Sequence, residues 1–302
     1  MTTTRPRSAL VTGAGRGVGR EIAEMLAGRG YRVMVTDVDA DTAAAAAADL
    51  GANASWAAVD VRDHRQIEMA RDALVEQTGG LDVWVNNAGV LLTGPAWEQS
   101  EEQRRLLIEV NTLGAINGTV AAIDAMRGRG HGCGAGHGGG HTGGHRGGGH
   151  IITIASLAGI SAVPGEAVYA ASKHAVMGFS TSTAIDLRLA GIHDIAISCI
   201  CPDGIWTPML HDKLTDPQAA LSFSGSLLTP GDVVRAVGAV LDSPRPVTSV
   251  PAWRGGLAHL GATFPRLAVA GLPLMAALGR QAQRRLLENP EGQDPAPNRA
   301  AR

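Results

Sequence analysis

Short apolar runs alternate along most of this chain with segments whose apolar residues recur at helical spacing. Strands and helices in this alternation are typical of an α/β fold, and they predict a doubly wound parallel sheet of about seven strands with helices on both faces. The predicted strands cover residues 8–12, 31–36, 55–59, 81–85, 150–154, 195–201 and 247–250. The predicted helices cover residues 17–28, 40–50, 64–77, 100–127 and 169–190, and a further helix begins at Thr229.

Two segments depart from the alternation. Residues 128–149 contain 13 glycines, whose high ordering entropy and lack of core-forming side chains predict a surface loop. Residues 255–279 are mostly apolar at near-helical spacing, and a Pro-rich polar tail follows from Asn289. We therefore expect one α/β domain at 1–253, carrying the glycine-rich insert at 128–149, and a C-terminal apolar helical extension with a disordered tail at 254–302.

Charge and cysteine content narrow the function classes. The formal net charge is -2, so the overall charge gives no reason to expect a nucleic-acid partner. Cys133, Cys199 and Cys201 cannot build a disulfide framework, which predicts a reducing, cytoplasmic setting. The N-terminal residues also lack the apolar stretch of a signal peptide.

A glycine-rich turn lies between the first predicted strand and the first predicted helix. Glycine lets the backbone turn sharply and approach a pyrophosphate, which then meets the positive N-terminus of the helix. The alternative is an ordinary turn, but the strand–turn–helix context favours a nucleotide site. The candidate cofactor-binding residues in this turn are Gly13, Gly15, Arg16, Gly17, Val18 and Gly19.

The identity of the nucleotide depends on Asp37, which follows the second predicted strand 18 residues after Gly19. A carboxylate there can accept hydrogen bonds from the adenosine ribose hydroxyls and would repel a 2′-phosphate, so NAD is favoured over NADP. Arg16 argues for NADP, because a guanidinium in this loop could pair with that phosphate. We give Asp37 the greater weight. Asp39 and Asp41 are interpreted as acids at the start of a helix.

Tyr169 and Lys173 stand four residues apart in a predicted helix, which places them on one face. Tyrosine and lysine each occur only twice in the chain, so chance rarely gives this spacing. A nearby ammonium stabilises phenolate and lowers the pKa of a tyrosine, which makes the phenol usable as an acid or base. The structural alternative is an exposed helical lysine beside a half-buried tyrosine.

Further motifs accompany this pair in a fixed order along the chain. They are Thr12-Gly-x-x-x-Gly-x-Gly19, Asp60, Asn86-Asn87-Ala88-Gly89, Asn111, Ser156, Tyr169-x-x-x-Lys173 and Pro202 to Thr207. With these motifs the chain resembles the short-chain dehydrogenase/reductase family over about residues 8–253. The resemblance implies a Rossmann-type fold and a nicotinamide cofactor.

The resemblance also implies catalytic roles for four residues. Tyr169 would pass a proton to or from the substrate oxygen, and Ser156 would hydrogen-bond that oxygen. Lys173 would hold the nicotinamide ribose and lower the pKa of Tyr169. Asn111 would support a water-mediated proton path to Lys173.

Cofactor contacts beyond the glycine turn are implied in the same way. Asp60 and Val61 would flank the adenine. The other implied contacts are Asn87, Ala88, Gly89, Tyr169, Lys173, Pro202, Ile205 and Thr207.

The chain departs from the family pattern at two places. The usual Pro-Gly after the sixth strand is Pro202-Asp203-Gly204 here, so the turn beside the nicotinamide is expected to differ. The 45-residue gap from Asn111 to Ser156 is stretched by the insert. Because the insert lies between a helix and a strand, we expect it to leave the catalytic geometry intact.

These features predict an NAD(H)-dependent oxidoreductase that interconverts a secondary alcohol and a ketone. The loop after Thr207 and the C-terminal segment are rich in Leu, Met and Ala, which indicates an apolar, lipid-like or steroid-like substrate. A homodimer or homotetramer is the expected assembly. Two other functions stay open: a catalytically vestigial NAD-binding scaffold or redox sensor, and a metal-handling protein.

The two departing segments each carry alternatives of their own. The histidines of the insert could chelate Ni, Zn or Cu, but they lack a fixed tetrahedral spacing, and we assign no metal ligand. The C-terminal segment could cover the substrate pocket, join subunits, or make peripheral contact with a membrane surface. The first two interpretations are favoured.

Overall fold

One parallel sheet of seven strands organises the residues that the computed structural model describes, which are 5–127, 148–225 and 227–288. The strands are β1 Ser8–Thr12, β2 Arg32–Asp37, β3 Ala54–Ala58, β4 Val83–Asn86, β5 Gly149–Ile154, β6 Ile195–Pro202 and β7 Val247–Val250. In space they follow the order β3-β2-β1-β4-β5-β6-β7. The order reverses between β1 and β4, where a doubly wound fold opens a crevice for a ligand at the carboxyl ends of its strands.

Helices cover both faces of the sheet, as the alternation predicts. On β1, Ala9 and Val11 pack with one set of helices, whereas Leu10 packs with the other. This alternation follows from the two-residue period of a strand. The helices of the described residues are α1 Gly17–Gly28, α2 Ala40–Leu50, α3 His64–Thr78, α4 Glu101–Ile108, α5 Gly114–Met126, α6 Ala167–Leu189, α7 Pro208–His211, α8 Pro230–Asp242, α9 Ala252–Thr263 and α10 Pro265–Glu288.

The two sets of helices bury separate apolar clusters. Helices α1, α2 and α8 contribute Ile22, Ala46 and Val237 to the first cluster. Helices α3 and α5 contribute Leu74 and Met126 to the second. The predicted fold class is therefore confirmed, with strand boundaries that differ from the predicted ones by at most two residues.

The predicted helix at 100–127 is not one regular helix. Ser100 caps α4 with a capping box, and a π turn at Glu109–Leu113 separates α4 from α5. Hydrophobic periodicity does not detect a π turn, because the chain remains helical on both sides of it. The correction matters for the site, since Asn111 lies inside this turn.

The combined segment Glu101–Met126 is long and apolar enough to cross a membrane by length and composition alone. In the structure 44% of its most apolar window is buried within the protein. Its α5 part packs against α3, α6, β4 and β5. These contacts explain its apolar character as that of a core helix.

The C-terminal helices α9 and α10 are fixed to the α/β domain near both ends. A Cβ on Gly255 would lie 2.2 Å from Cβ of Ser249 in β7, so α9 packs directly on the sheet edge. At the other end, a Cβ on Gly279 would lie 1.8 Å from the carbonyl oxygen of Ala220. In the structure this segment forms two helices, of which the first begins at Ala252.

Two of the predictions fall outside the described residues. The first is the predicted surface loop, of which residues 128–147, with the histidines of the insert and Cys133, lie outside the described part. The second is the predicted disordered tail from Asn289. Among the described residues, no group of three or more His, Cys, Asp or Glu side chains is arranged to hold a metal ion. His150 lies in β5, where its Nε2 is 2.9 Å from the Ser198 hydroxyl and burial lowers its pKa to about 4.

Candidate active site

The carboxyl ends of the central strands open onto a cavity of about 1380 Å³. Gly15, Gly19 and Asn111 do not line it but support its walls, as shown below. The predicted site residues that line it are Gly13, Arg16, Gly17, Val18, Asp37, Asp60, Val61, Asn87, Ala88, Gly89, Ser156, Tyr169, Lys173, Pro202, Ile205 and Thr207.

The glycine turn between β1 and α1 has no room for a side chain at Gly13 or Gly19. Gly13 adopts a φ of 61°, and a Cβ there would lie 2.7 Å from Cα of Ala88. A Cβ on Gly19 would lie 2.4 Å from both Nδ2 of Asn87 and the carbonyl oxygen of Gly13. The tight turn therefore depends on glycine, and it brings the backbone to the N-terminus of α1, as a pyrophosphate site requires.

Asn87 and Thr12 hold this turn to the one that follows β4. The Thr12 hydroxyl accepts hydrogen bonds from the backbone N–H groups of Asn87 and Ala88 at 3.0 and 3.1 Å. The Asn87 amide nitrogen donates to the carbonyl oxygens of Thr12 and Gly13 at 3.0 and 2.9 Å. Asn87 thus shapes the glycine turn as well as lining the cavity, a role that its sequence position did not indicate.

Asp37 ends β2 at the cavity wall. Its Oδ2 accepts a hydrogen bond from the backbone N–H of Gly15 at 3.0 Å, which orients the carboxylate beside the glycine turn. Arg16 is exposed and lines the same cavity. Asp39 instead caps α2 by accepting hydrogen bonds from the first backbone N–H groups of that helix, which confirms its interpretation as a helix-start acid.

Asp60 carries an ion pair that the sequence analysis missed. The Arg62 guanidinium lies with Nη2 2.6 Å from Oδ2 of Asp60 and Nε 2.9 Å from Oδ1. This hydrogen bonding lowers the pKa of the Asp60 carboxyl. Val61 is buried against α5, where a Cβ on Gly114 would lie 2.6 Å from its Cγ2. Both predicted adenine contacts are thus fixed in place by neighbours.

Tyr169 and Lys173 occupy the first turns of α6 and line the cavity together. The Lys173 ammonium lies 5.7 Å from the centroid of the Tyr169 ring and donates to the carbonyl oxygen of Ile154 at 3.2 Å. Lys173 is 5% exposed, and this burial lowers its pKa to about 8. The pair is therefore interior, which argues against the alternative of an exposed lysine.

The pKa of Tyr169 does not follow the expectation that Lys173 lowers it. Loss of solvent around the phenol raises this pKa, and the nearby carboxyl of Glu166 raises it further. Hydrogen bonding with Ser156 acts in the opposite direction and only partly offsets these effects. In the described structure the phenol is accordingly a proton donor rather than a phenolate.

Asn111 lies buried in the π turn and is held from two sides. Its Oδ1 accepts from the backbone N–H of Val90 at 2.8 Å, and its Nδ2 donates to the carbonyl oxygen of Val90 and to the Ser172 hydroxyl, both at 3.0 Å. A Cβ on Gly89 would lie 3.3 Å from Oδ1 of Asn111 and 3.5 Å from Nζ of Lys173. Glycine at this position keeps open the space beside both polar groups.

The departure from the family pattern at Asp203 has a structural counterpart in the C-terminal extension. Arg254 of α9 donates from Nε to Oδ2 of Asp203 at 2.6 Å, and both side chains are largely buried. A Cβ on Gly225 would lie 2.5 Å from the same oxygen, so the loop closes tightly over Asp203. The turn beside Ile205 and Thr207 is thus tied to α9 by an ion pair across 51 residues.

Apolar side chains of α9 and α10 form one wall of the cavity. Several of them are about half exposed, because they face its open space rather than a packed neighbour. Beyond this wall, Gln283 is buried and donates to the carbonyl oxygens of Lys213 and Asp216 at 3.2 and 2.8 Å. The wall residues with large side chains are Leu257, Leu260, Phe264, Val269, Leu272, Leu274 and Met275.

Sequence reasoning also missed Glu166, a buried carboxyl in the cavity wall three residues before Tyr169. Its Oε1 accepts a hydrogen bond from the Ser222 hydroxyl at 2.5 Å. The two residues are 56 positions apart, so no local motif connects them.

Known proteins resemble this chain in sequence and in structure. The family model described as short chain dehydrogenase matches residues 7–218. The chain is 33% identical over 219 residues to 1-deoxy-11-beta-hydroxypentalenate dehydrogenase of Streptomyces exfoliatus, which covers 71% of this chain and 72% of that protein. It is also 33% identical over 225 residues to sex determination protein tasselseed-2 of Zea mays, covering 68% of this chain and 60% of the maize protein.

A solved structure extends the likeness to most of the chain. The short chain dehydrogenase/reductase of Burkholderia phymatum, solved in complex with NAD, superimposes with a TM-score of 0.70 at 26% identity. The match covers 91% of this chain and 96% of that one. The likeness therefore includes much of the region beyond residue 218, where the family model ends.

Proposed function

The chain belongs to the short-chain dehydrogenase/reductase family of oxidoreductases, and from that premise we propose that it interconverts a secondary alcohol and a ketone with NAD(H). One observation carries this proposal. Tyr169, Lys173 and Ser156 line the same cavity as the glycine turn and Asp37, so a dinucleotide and an alcohol could meet in it. A vestigial scaffold would have no need to keep this set together.

The residues present fit a dinucleotide. The glycine turn offers a cradle that a Cβ at Gly13 or Gly19 would fill, and Asp37 presents a carboxylate at the end of β2. When bound, the nicotinamide would accept or supply the hydride. Asp37 supports NAD over NADP, because its carboxylate would repel the 2′-phosphate of NADP.

Proton transfer falls to the side chains of α6 and the loop before it. Tyr169, whose pKa is raised, would donate its proton to the oxygen of a ketone and take a proton back from an alcohol. Ser156 would hydrogen-bond the same oxygen as charge develops on it. Lys173 would carry the proton onward, and Asn111, which flanks the same space beside Gly89, would support a water-mediated path to Lys173.

The apolar wall formed by α9 and α10 supports an apolar substrate body. In this proposal the C-terminal extension covers the substrate pocket, the first of the three interpretations of this segment. A homo-oligomer remains the expected assembly.

A turnover screen tests the proposed function directly. Secondary alcohols of increasing apolar size are offered with NAD+ or NADP+, and ketones with the reduced cofactors, while the reduced-nicotinamide absorbance is followed. We expect turnover with NAD+ and a preference for larger apolar alcohols. Tight NADH binding with no turnover of any alcohol or ketone would contradict the proposal and favour the scaffold.

Asp37→Ser tests the cofactor preference. We expect the ratio of kcat/KM for NAD to that for NADP to fall by about tenfold or more, because like charges near a protein surface repel by roughly 1–4 kcal/mol. Asp39→Ser is the matched control, since that carboxylate caps α2 away from the cavity and serine can still cap. Equal kcat/KM for both cofactors in the unmodified protein would contradict the assignment to Asp37.

Gly279→Ala tests whether α10 shapes the substrate pocket. The added Cβ would collide with the carbonyl oxygen of Ala220, so α10 must move away from the segment Pro217–Phe223. We expect KM for an apolar alcohol to rise about fivefold, equivalent to ~1 kcal/mol, with little change in NAD affinity. Gly256→Ala is the control, because a Cβ there meets open space. If KM is unchanged although α10 has moved, the extension does not cover the pocket.

A further inference from the structure

Glu166 is an unusual residue for the wall of an apolar pocket. It precedes α6, is 2% exposed and lines the cavity that also contains Tyr169. Burying a carboxyl costs free energy unless its polar atoms find partners. An apolar residue would avoid that cost, so the presence of this carboxyl calls for a reason beyond packing.

The partners within the protein satisfy only part of this side chain. Among the hydrogen bonds of the described residues, Oε1 accepts one from the Ser222 hydroxyl and Oε2 takes part in none. Asp216 raises the pKa of the carboxyl and Lys213 lowers it, so the effects of these two charges oppose each other. Burial dominates these effects and raises the pKa of Glu166 to about 7. Near neutral pH the carboxyl is therefore uncharged in about half of the molecules. An uncharged carboxyl can both donate and accept a hydrogen bond.

The position of Glu166 relative to the reacting centre is set by the chain. It stands three residues before Tyr169, and the two groups are close enough for the carboxyl to raise the pKa of the phenol. Both side chains also line the same cavity. A substrate whose reacting oxygen is held at Tyr169 would therefore place another part of its body near Glu166.

We propose that Glu166 is a specificity-determining residue that hydrogen-bonds a second oxygen on an otherwise apolar alcohol or ketone. The inference rests on the proposed function, because it takes the oxygen at Tyr169 as the reacting one. The Ser222 contact holds the carboxyl in place from the segment Pro217–Phe223. The substrate class is thus an apolar body with two oxygens, such as a diol or a hydroxyketone.

The test compares cyclohexanol with the cis and trans forms of the 1,3- and 1,4-cyclohexanediols, using NAD+. Sites built to hydrogen-bond a substrate hydroxyl discriminate against analogues that lack it. We expect kcat/KM for the best diol to exceed that for cyclohexanol by about tenfold or more. In Glu166→Leu this diol-to-cyclohexanol ratio should fall to about two, the value expected if the two hydroxyls of a diol react independently. Glu166→Gln keeps the shape of the side chain and a hydrogen-bonding amide, so it should retain part of the preference for the diol.

Glu98→Leu is the matched control, because Glu98 is an exposed carboxylate that does not line the cavity. Its diol-to-alcohol ratio should equal that of the unmodified protein. Equal kcat/KM for diols and cyclohexanol in the unmodified protein would overturn the inference while leaving the proposed function standing. A preference for 4-aminocyclohexanol over every diol would also overturn it, since the carboxyl would then be selecting a cation.

If neither cyclohexanol nor any diol is turned over with either cofactor, the proposed function is what fails. The inference is then decided by binding, with saturation-transfer NMR of the same diols in the presence of NADH. Diol binding that is lost in Glu166→Leu and kept in Glu98→Leu supports it. Diol binding that is equal in all three proteins, or absent from the unmodified one, overturns it. Should Glu166→Leu fail to fold, Glu166→Gln and Ser222→Ala serve in its place, and both should lower the ratio.

Discussion

Tyr169→Phe should lower turnover of a secondary alcohol by about 100-fold or more while NADH still binds. The substitution removes the only transferable proton of the side chain and keeps the ring that lines the cavity. The raised pKa of the phenol makes it a ready donor for ketone reduction. For alcohol oxidation the phenol must first lose its proton, which the positive charge of a bound nicotinamide would favour.

Steady-state kcat and the fluorescence of bound NADH measure the two parts of this prediction. Tyr31→Phe is the matched control, because Tyr31 directly precedes β2, lies under the guanidinium of Arg7 and does not line the cavity. That variant should keep full turnover. Near-normal turnover in Tyr169→Phe would refute the proton-transfer role of the phenol and leave the scaffold as the better explanation.

The fold could be predicted from sequence because each strand and helix carries its own apolar period. The five-residue run at β1 and the alanines of α2 bury the faces that their periods predict. The π turn in the segment Glu101–Met126 could not be predicted this way. It shifts the hydrogen bonding by one residue without breaking the helical run, and it is what directs Asn111 toward Val90 and Ser172.

The site residues that could be predicted from sequence also differ from those that could not in how far apart the contacting residues lie along the chain. Residues within one turn or one helix, such as the glycine turn and the Tyr169–Lys173 pair, could be predicted from their spacing in the sequence. The Asp203–Arg254 ion pair joins residues far apart in sequence, and so does the Glu166–Ser222 hydrogen bond. Such contacts depend on how the C-terminal helices and the segment Pro217–Phe223 fold back onto the sheet, and no local pattern predicts that. The sequence also could not give the desolvation that raises the pKa of Tyr169.

Gly19→Ala should weaken NAD binding more than any other single methyl addition in the first helix. The new Cβ would lie 2.4 Å from Nδ2 of Asn87 and from the carbonyl oxygen of Gly13, and one of these atoms is backbone. Overpacking of this kind costs about 1–3 kcal/mol, which corresponds to a rise in Kd of roughly 5- to 150-fold.

Gly28→Ala is the matched control for this change. It lies in the same helix, its Cβ would meet open space, and alanine is the better helix former. Isothermal titration with NADH measures Kd, and thermal unfolding shows whether Gly19→Ala remains folded. Because Asn87 bonds the turns after β1 and β4 together, displacing it should loosen both walls of the nucleotide crevice at once. A folded Gly19→Ala protein with unchanged Kd would mean that the nucleotide does not depend on the close packing of this turn.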